Sequence, residues 1–356
     1  MIRALVVDDS AFMRMALRRI IEADGDLRVV GEASEGGAAV ELAARLHPDI
    51  VTMDIEMPGL DGIAATRSLA ALPDPPAVVM VSHHTRNGSE AALEALAAGA
   101  ADVLWKGSAI GALDLAQIDR ELRGRLRHWA RQRARPSSLA SHPVAPAPPP
   151  RPMPPARTGC DVVVLAASTG GPDALAALFS ASGPLLVPCV VAQHMPADLG
   201  PDFVRHLNRR GGVGAVLGEH GMALRPGHVA VIPGGTDGHL ARGAEGLALR
   251  LGRGDGLVHP SADMLFRSAA LVAQRAIGVV LTGMGRDGAA GAAAMRERGM
   301  AVLAQSPESC VVAGMSGAVI EAGLAGEVAA PDILGARLRA LATPRATLPG
   351  RGWGMA

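Results

Sequence analysis

The chain has 356 residues, of which 49% are hydrophobic and 19% are charged, so it can bury the cores of two or three domains. Its formal net charge is zero and its aromatic content is 2%, which argues against a general nucleic-acid-binding protein. No apolar run reaches the roughly 18–20 residues of a membrane span, and the first predicted strand begins at once, leaving no room for a signal peptide. We therefore expect a cytoplasmic protein that binds no nucleic acid and does not insert into a membrane.

Residues 1–127 alternate short apolar runs with amphipathic helical patterns. The runs predict five strands, at Ala4–Val7, Arg28–Gly31, Ile50–Met53, Ala77–Val81 and Asp102–Leu104. Five such units predict a doubly wound parallel sheet. In sheets of this kind, functional sites form beyond the carboxyl ends of the strands.

Polar residues follow four of these predicted strands: Asp8, Asp9, Asp54, Ser82 and Lys106. Three carboxylates brought together repel one another and need a hard cation, for which Mg²⁺ is suited. The cation and the lysine could then hold a phosphoryl group while an aspartate oxygen attacks it. Alternatively, the first two acids cap a helix and the third is a loop charge. That alternative explains each position alone but not four strand ends in register.

The motifs VVDDSAFMR and TMDIEMPGLDG, with the later serine and lysine, resemble the receiver domain of a two-component response regulator. The resemblance implies that Asp54 accepts a phosphoryl group from a histidine kinase. It also implies that Asp8 and Asp9 hold Mg²⁺ together with Asp54, and that Ser82 and Lys106 sense the phosphate.

A helix and then a linker are predicted after the fifth strand. Leu113–Arg133 has helical spacing and many arginines, which we interpret as a solvated face rather than a nucleic-acid-binding surface. Residues 128–158 are rich in proline, alanine and arginine, a composition typical of an extended, semi-rigid linker. We predict a receiver at 1–127, this linker, a second domain at 159–346 and a tail at 347–356.

The second domain again alternates strands and helices, which predicts an α/β fold with a mostly parallel sheet. Its predicted strands are Val162–Leu165, Leu185–Ala192, Val229–Ile232, Leu247–Leu251, Ile277–Leu281 and Ala301–Ala304. Its predicted helices are Asp173–Ser180, Pro201–Arg210, Ala262–Ala273 and Ala289–Arg298. A polar, glycine-rich stretch between the second and fifth of these strands is expected to be antiparallel.

Three residues with hydrolytic chemistry follow apolar strands of this domain. Ser168, His194 and Asp287 each lie just beyond a predicted strand, so a parallel sheet places them on one rim. A serine, a histidine and a carboxylate on one rim are the parts of a hydrolytic triad. Separately, each residue has a simpler interpretation: small residues at the serine's turn permit close packing or phosphate binding, the histidine is a rim residue, and the aspartate caps a helix.

Backbone donors for an oxyanion are also predicted at these turns. Gly283 and Gly285 permit a sharp turn that could aim the Met284 N–H at a developing oxyanion, and the Thr169 N–H at the start of a helix could be a second donor. The same glycine-rich loop could instead bind phosphate.

The motifs AASTGGP, QHMP, HPSADMLFRSAA, LTGMGRDGA and QSPESCVVAGM resemble the catalytic domain of the chemotaxis protein-glutamate methylesterases, the CheB family. The resemblance implies that Ser168 is the nucleophile, His194 the base and Asp287 the third member, with Thr169 and the Met284 backbone at the oxyanion. It also implies a substrate and a product: a methyl-esterified glutamate on the cytoplasmic helices of a chemoreceptor, and methanol. Glutamine deamidation is expected at the same site, with no cofactor for the esterase and Mg²⁺ for the receiver alone.

The family resemblance further implies autoinhibition, in which the unphosphorylated receiver docks over the rim that bears the nucleophile. Two other classes of protein remain open on residue patterns alone. One is a response regulator whose second domain only binds a nucleotide or a partner protein. The other is a DNA-binding regulator, which a neutral α/β domain without a helix-turn-helix pattern disfavours.

Overall fold

A computed structural model of the chain describes residues 1–82, 88–106, 112–134, 159–254 and 258–344. Residues 135–158 of the predicted linker and the predicted tail at 347–356 lie outside the described residues. Within the described ranges, no helix combines the length and the hydrophobicity that crossing a membrane requires.

The amino-terminal unit is a five-stranded parallel sheet with helices between its strands. The strands are β1 (Ile2–Val7), β2 (Leu27–Ala33), β3 (Ile50–Met53), β4 (Ala77–Ser82) and β5 (Asp102–Trp105), in the order β2-β1-β3-β4-β5. The helices are α1 (Ala11–Glu22), α2 (Gly36–Leu46), α3 (Gly62–Ala70), α4 (Gly88–Ala98) and α5 (Ala112–Ala134). The predicted doubly wound sheet is confirmed. Helix α5 passes residue 127, where we predicted the receiver to end.

The central strands of this sheet are buried because they are apolar on both faces. Every residue of β3 and β4 is buried, as expected for parallel strands covered by helices on both sides. Helix α1 begins where the Ser10 hydroxyl accepts a hydrogen bond from the Met13 N–H, and α3 begins where the Asp61 carboxylate accepts one from the Ala64 N–H. These caps fix the turns that follow β1 and β3, which are the turns that carry the aspartates.

The described part of the carboxyl-terminal unit has nine strands, and seven of them form one parallel sheet. The strands are β6 (Val162–Ala167), β7 (Cys189–Gln193), β8 (Gly214–Leu217), β9 (His228–Val231), β10 (Asp237–Gly243), β11 (Gly246–Gly252), β12 (Ala276–Val280), β13 (Ala301–Gln305) and β14 (Glu327–Ala329). The helices are α6 (Gly171–Ser182), α7 (Gly200–His206), α8 (Ala262–Val272), α9 (Ala289–Glu297), α10 (Gly314–Glu321) and α11 (Pro331–Leu341). The main sheet has the order β14-β13-β12-β6-β7-β9-β8, and β10 and β11 form a separate antiparallel hairpin.

Three details of this unit differ from the sequence prediction. The predicted strand Leu185–Ala192 begins only at Cys189: Leu186 is 63% exposed, and Pro188 has no N–H with which to join a ladder. The expected antiparallel stretch is confirmed for the β10–β11 hairpin, but it is wrong for β8 and β9, which pair in parallel. Strands β8, β10 and β14 were not predicted, because short or glycine-containing strands carry little hydrophobic periodicity.

Strand order explains where the two units can hold functional groups. β6 lies at the centre of its sheet, between β12 and β7, so the turns after these three strands adjoin. The two units also contact each other at this rim. The Gly170 N–H, just after β6, donates to the Leu96 carbonyl of α4 over 2.7 Å.

Candidate functional sites

The first candidate site lies beyond β1, β3 and β5. Asp8 and Asp54 are buried, and Lys106 Nζ lies 2.7 Å from the Asp8 carboxylate and 2.9 Å from the Asp54 carboxylate. Carboxylate oxygens of Asp8, Asp9 and Asp54 all lie within 4.8 Å of one another. Ser82 is buried at the end of β4, and its carbonyl accepts a 2.7 Å hydrogen bond from the Lys106 N–H. The structure thus brings together all five residues predicted for this site.

Burial raises the pKa of Asp54 above its ordinary value. The charge of Asp8 acts in the same direction, and Lys106 only partly offsets the two. The ionised carboxylate is therefore under-compensated by the protein alone. Three acids around one lysine leave room for a further positive charge, and hard oxygen donors at this spacing fit Mg²⁺.

The second candidate site begins at Ser168, the first residue after β6. The side chain is 1% exposed, and its Oγ has no hydrogen-bond partner among the described residues. The Ser168 N–H donates to the Thr282 carbonyl, which ties the turn to the end of β12. Gly170 has a positive φ of 77°, a conformation that glycine adopts at little cost, and α6 starts at the next residue. The serine hydroxyl therefore lies at a strand-to-helix turn with an uncommitted oxygen.

His194 follows β7 and contacts the loop after β12. Its Nε2 lies 2.9 Å from Asp287 Oδ2, and its ring is buried. Its Nδ1 is also buried, with no hydrogen-bond partner among the described residues. If Nε2 carries the proton that Asp287 accepts, Nδ1 keeps a lone pair that can take a proton. His194 and Asp287, which are 93 residues apart in the chain, are therefore paired.

Asp287 is surrounded by donors from the start of α8. Its carboxylate accepts hydrogen bonds from the Ala262 N–H (2.7 Å), the Asp263 N–H (2.9 Å) and the Ser261 hydroxyl (3.4 Å), besides the one from His194. Burial alone would raise the pKa of Asp287, but the bonds from His194 and from these N–H groups more than offset it, so the pKa lies below its ordinary value. The carboxylate is held ionised and fixed in orientation.

The geometry does not join the serine to the histidine directly, because both Ser168 Oγ and His194 Nδ1 are without a hydrogen-bond partner among the described residues. Catalytic hydrogen bonds are often open in a site without substrate. Each atom nevertheless has the complementary capacity, since one can donate a proton and the other can accept it.

The predicted oxyanion loop passes directly over the serine. A β-carbon on Gly283 would lie 2.7 Å from Ser168 Cβ, so this position has to be glycine. Gly285 has a φ of 88°, and Met284 between them is buried. Thr169, on the other side, is fully buried, and its carbonyl accepts a hydrogen bond from the Thr282 hydroxyl over 2.8 Å.

Sequence reasoning missed several residues that organise this site. Ser261 precedes α8 as its N-cap and also bonds Asp287, a role that a serine before a helical pattern signals. Asp237 is buried at the start of β10, where it accepts hydrogen bonds from the Ser261 N–H (2.6 Å) and from His259 Nδ1 (3.0 Å). No local pattern marks Asp237, since it lies in a strand that the sequence did not predict.

A cleft of about 310 Å³ opens onto the histidine and the aspartate. The carboxyl-terminal unit lines it with His194, Met284 and Asp287, and α5 of the amino-terminal unit lines it with Trp129 and Gln132. The side-chain oxygen of Gln132, Oε1, is buried without a partner among the described residues. It would lie 2.9 Å from a β-carbon added at Gly285. The receiver's last helix therefore forms one wall of the candidate hydrolytic cleft.

Comparison with known proteins identifies both units. Residues 163–338 match the sequence profile described as CheB methylesterase, and residues 4–116 match that of the response regulator receiver domain. A protein-glutamate methylesterase/protein-glutamine glutaminase from a Nocardioides strain is 40% identical over 356 residues, covering 98% of this chain and 97% of its own length. A protein of the same description from Myxococcus xanthus is 41% identical over 345 residues, covering 95% and 97%.

Among solved structures, the CheB methylesterase catalytic domain of Thermotoga maritima is 32% identical, with a TM-score of 0.49, and covers 52% of this chain and all of its own length. Relatives that match from end to end, and profiles that match both units, place the chain without ambiguity. It belongs to the CheB family, in which a response-regulator receiver is joined to a protein-glutamate methylesterase/protein-glutamine glutaminase domain.

Proposed function

We propose that this chain hydrolyses glutamate methyl esters on chemoreceptors, with Ser168 as nucleophile, His194 as base and Asp287 as the acid that orients the base. The observation that carries this proposal is the 2.9 Å contact between His194 and Asp287 on the same rim as a buried, unpartnered serine hydroxyl. The names of the relatives supply the substrate class, glutamate esters and glutamines in proteins.

The proposed reaction begins when His194 Nδ1 takes the proton of Ser168 and the serine oxygen attacks the side-chain carbonyl carbon. Negative charge moves to the carbonyl oxygen, where the N–H groups of Met284 and Thr169 stabilise it. The carbon–methoxy bond breaks, and the histidine returns the proton to the methoxy oxygen, releasing methanol. Water then attacks the serine ester by the same route and frees the glutamate.

Asp287 contributes by staying ionised throughout. Its lowered pKa keeps a negative charge beside Nε2, which stabilises the imidazolium that forms when Nδ1 accepts the serine proton. The three donors at the start of α8 hold that charge in place, so the ring keeps the tautomer that leaves Nδ1 unprotonated.

Deamidation of glutamine uses the same steps. The amide differs from the methyl ester only in its leaving group, so the acyl-enzyme is identical and ammonia leaves in place of methanol. The histidine that protonates the methoxy oxygen would protonate the departing nitrogen.

The direct test is methanol release from methylated receptor membranes by the Ser168→Ala chain. We expect kcat to fall by about 10⁶-fold, as when a triad nucleophile is removed. Ser180→Ala, an exposed serine on α6, is the matched control and should keep the parental rate. Methanol release at the parental rate by Ser168→Ala would rule out the nucleophile.

In the receiver, Asp54 is the proposed phosphoryl acceptor and a histidine kinase the proposed donor. Asp8, Asp9 and Asp54 would hold Mg²⁺, which supplies positive charge for the transferred phosphoryl oxygens. Lys106 and Ser82 would then contact the new phosphate. We expect Asp54→Ala to abolish labelling by a small-molecule phosphodonor. Asp74→Ala, at a largely exposed carboxylate, should leave labelling intact.

The receiver is proposed to restrain the esterase until Asp54 is phosphorylated. Two contacts support this: α5 lines the cleft, and the Leu96 carbonyl occupies the Gly170 N–H beside the nucleophile. We propose the predicted domain division with one change: the receiver extends to the end of α5 at Ala134 rather than to residue 127, followed by a linker at 135–158, the esterase at 159–346 and a tail at 347–356. The linker keeps the receiver close at high effective concentration without fusing it to the esterase.

A further inference from the structure

The last residue of β7, Gln193, lies beneath the two catalytic turns. Its side chain is fully buried, and in the sheet it pairs with Ala167, the residue before the nucleophile. Its Nε2 donates to the carbonyl oxygen of Ser168 and to that of His194, each over 2.9 Å. One amide group therefore connects the backbone of the proposed nucleophile to that of the proposed base.

The two hydrogen bonds of the Gln193 amide lie at the end of the β6–β7 pairing, where both strands turn. The His194 N–H donates to the Ala167 carbonyl over 3.0 Å. Beyond this bond, the segment after β6 and the segment after β7 lead to different helices. The turn after Ser168 is closed separately, by a 2.8 Å bond from the Gly171 N–H to the Ser168 carbonyl. The Gln193 amide extends the connection between the strands by one step, into the part of the chain that reacts.

The orientation of the amide is determined by its partners. Carbonyl oxygens only accept hydrogen bonds, so the nitrogen has to face both of them, and a flipped amide would place three oxygens together. The remaining atom, Oε1, is buried without a partner among the described residues, and a β-carbon on Gly171 would overlap it. A buried polar atom left unpartnered costs stability, so this amide's two bonds through Nε2 are formed at the expense of its oxygen.

We infer that Gln193 is a positioning residue that sets the separation between Ser168 and His194. This inference rests on the proposed function. Ser168 Oγ and His194 Nδ1 have to come within about 2.6–3.2 Å of each other for proton transfer. Their backbones are joined through this amide, so its loss lets the two turns separate. A displacement of about 1 Å at a reacting group costs roughly 100-fold in rate.

The first test replaces the amide with an apolar side chain of similar length, Gln193→Met, in the full chain with a phosphodonor present. Methanol release from methylated receptor membranes should show a kcat about 10- to 100-fold lower. KM should be unchanged, because Gln193 is buried away from the substrate cleft. Circular dichroism and the thermal midpoint report whether the variant is folded.

The second test, Gln193→Glu, keeps the shape but makes the bridge depend on pH. A protonated carboxyl can donate one hydrogen bond to the two carbonyls, whereas an ionised one can donate none. Burial raises the pKa of such a carboxyl. The ratio of variant kcat to parental kcat should therefore fall as pH rises, measured within the pH range over which circular dichroism shows that the variant stays folded.

The matched control is Asn208→Leu, which removes another amide that bridges backbone groups, those of Ala215, at a residue that does not line the cleft. It should lower the thermal midpoint and leave kcat and its pH dependence unchanged. The inference is overturned if Gln193→Met keeps the parental kcat, if Asn208→Leu loses as much, or if the Gln193→Glu ratio does not vary with pH. Ser168→Ala distinguishes a failure of the proposed function from a failure of this inference. If it stays active the proposed function fails, and if it is inactive while Gln193→Met is fully active only this inference fails.

Discussion

The receiver and the esterase each place an aspartate beyond the carboxyl end of a buried parallel strand. The two carboxylates differ in the charges and hydrogen-bond donors that surround them. Asp54 faces another carboxylate, and Lys106 alone among the described residues brings a positive charge close to it. Asp287 faces His194 and a row of N–H donors at the start of α8. Burial acts on both, and yet the pKa of Asp54 is raised while that of Asp287 is lowered.

The roles proposed for the two carboxylates account for this difference. A carboxylate that accepts a phosphoryl group works beside a metal ion, so the protein leaves part of its charge uncompensated. A carboxylate that orients a histidine has to stay ionised without a metal, so the protein supplies all the donors. The same strand-end position is therefore adapted to two chemistries by its neighbours, and the donors around each acid are the feature to change in experiments.

Among changes at the two carboxylates and their surroundings, the largest effect should come from converting the orienting carboxylate to an amide. Asp287→Asn keeps the shape but presents an N–H to a position that needs an acceptor, so His194 adopts the wrong tautomer. We expect kcat for methanol release to fall about 10⁴-fold, the loss typical of this change in a hydrolytic triad. Asp332→Asn, at an exposed acid in the first turn of α11, is the control, and an equal loss there would contradict the assignment.

The next largest effect should come from the wall that the receiver contributes. Gln132→Ala removes the side chain that lies against Gly285, so the unphosphorylated chain should open more readily and its basal methanol release should rise. We expect the basal rate of methanol release to rise by about 5- to 150-fold, the range typical of coupling between two sites. The rate with phosphodonor should not change. Arg131→Ala, an exposed neighbour on α5, should leave both rates alone. An unchanged basal rate in Gln132→Ala would show that this contact does not restrain the enzyme.

A smaller effect, on stability, tests the comparison itself. Because the folded-state pKa of Asp54 is raised, this group favours folding below its unfolded pKa and loses that contribution as pH rises. Asp287, whose folded-state pKa is lowered, contributes stability above its unfolded pKa and loses it as pH falls. At neutral pH, Asp54→Asn should raise the thermal midpoint and Asp287→Asn should lower it. Thermal midpoints that shift in the same direction in both variants would contradict the opposite pKa shifts of the two carboxylates.

The smallest effect is expected at the N-cap of α8. Ser261→Ala removes one of the donors to Asp287 and the acceptor for the Met264 N–H, at a cost of about 1 kcal/mol in the free energy of unfolding. Ser261→Thr keeps the hydroxyl and should restore most of the loss. A full loss of methanol release in Ser261→Ala would mean that the backbone donors alone cannot hold the carboxylate.

Much of this arrangement could be predicted from sequence, because strand ends are local signals. Asp54 and Ser168 each follow a short apolar run, and parallel topology then places such residues on a common rim. The rest depends on contacts that are distant in the chain. The bridge from Gln193 to Ser168 spans 25 residues, Asp237 lies in an unpredicted strand, and the cover by α5 depends on how two units pack. The sequence prediction started β7 at Leu185, whereas this strand begins at Cys189. Pro188 ends the pairing but is itself apolar, so hydrophobicity alone does not reveal the boundary.

If Ser168 is the nucleophile, its oxygen becomes covalently attached to the substrate's glutamyl group during turnover. The most direct measurement is mass spectrometry of the full chain quenched in acid during turnover of a glutamyl methyl ester peptide, with phosphodonor present. We expect an adduct equal to the peptide minus methanol on the fragment that contains Ser168, and no adduct in Ser168→Ala. Methanol release without any such adduct, or with the adduct on another residue, would contradict the assignment of Ser168 as nucleophile.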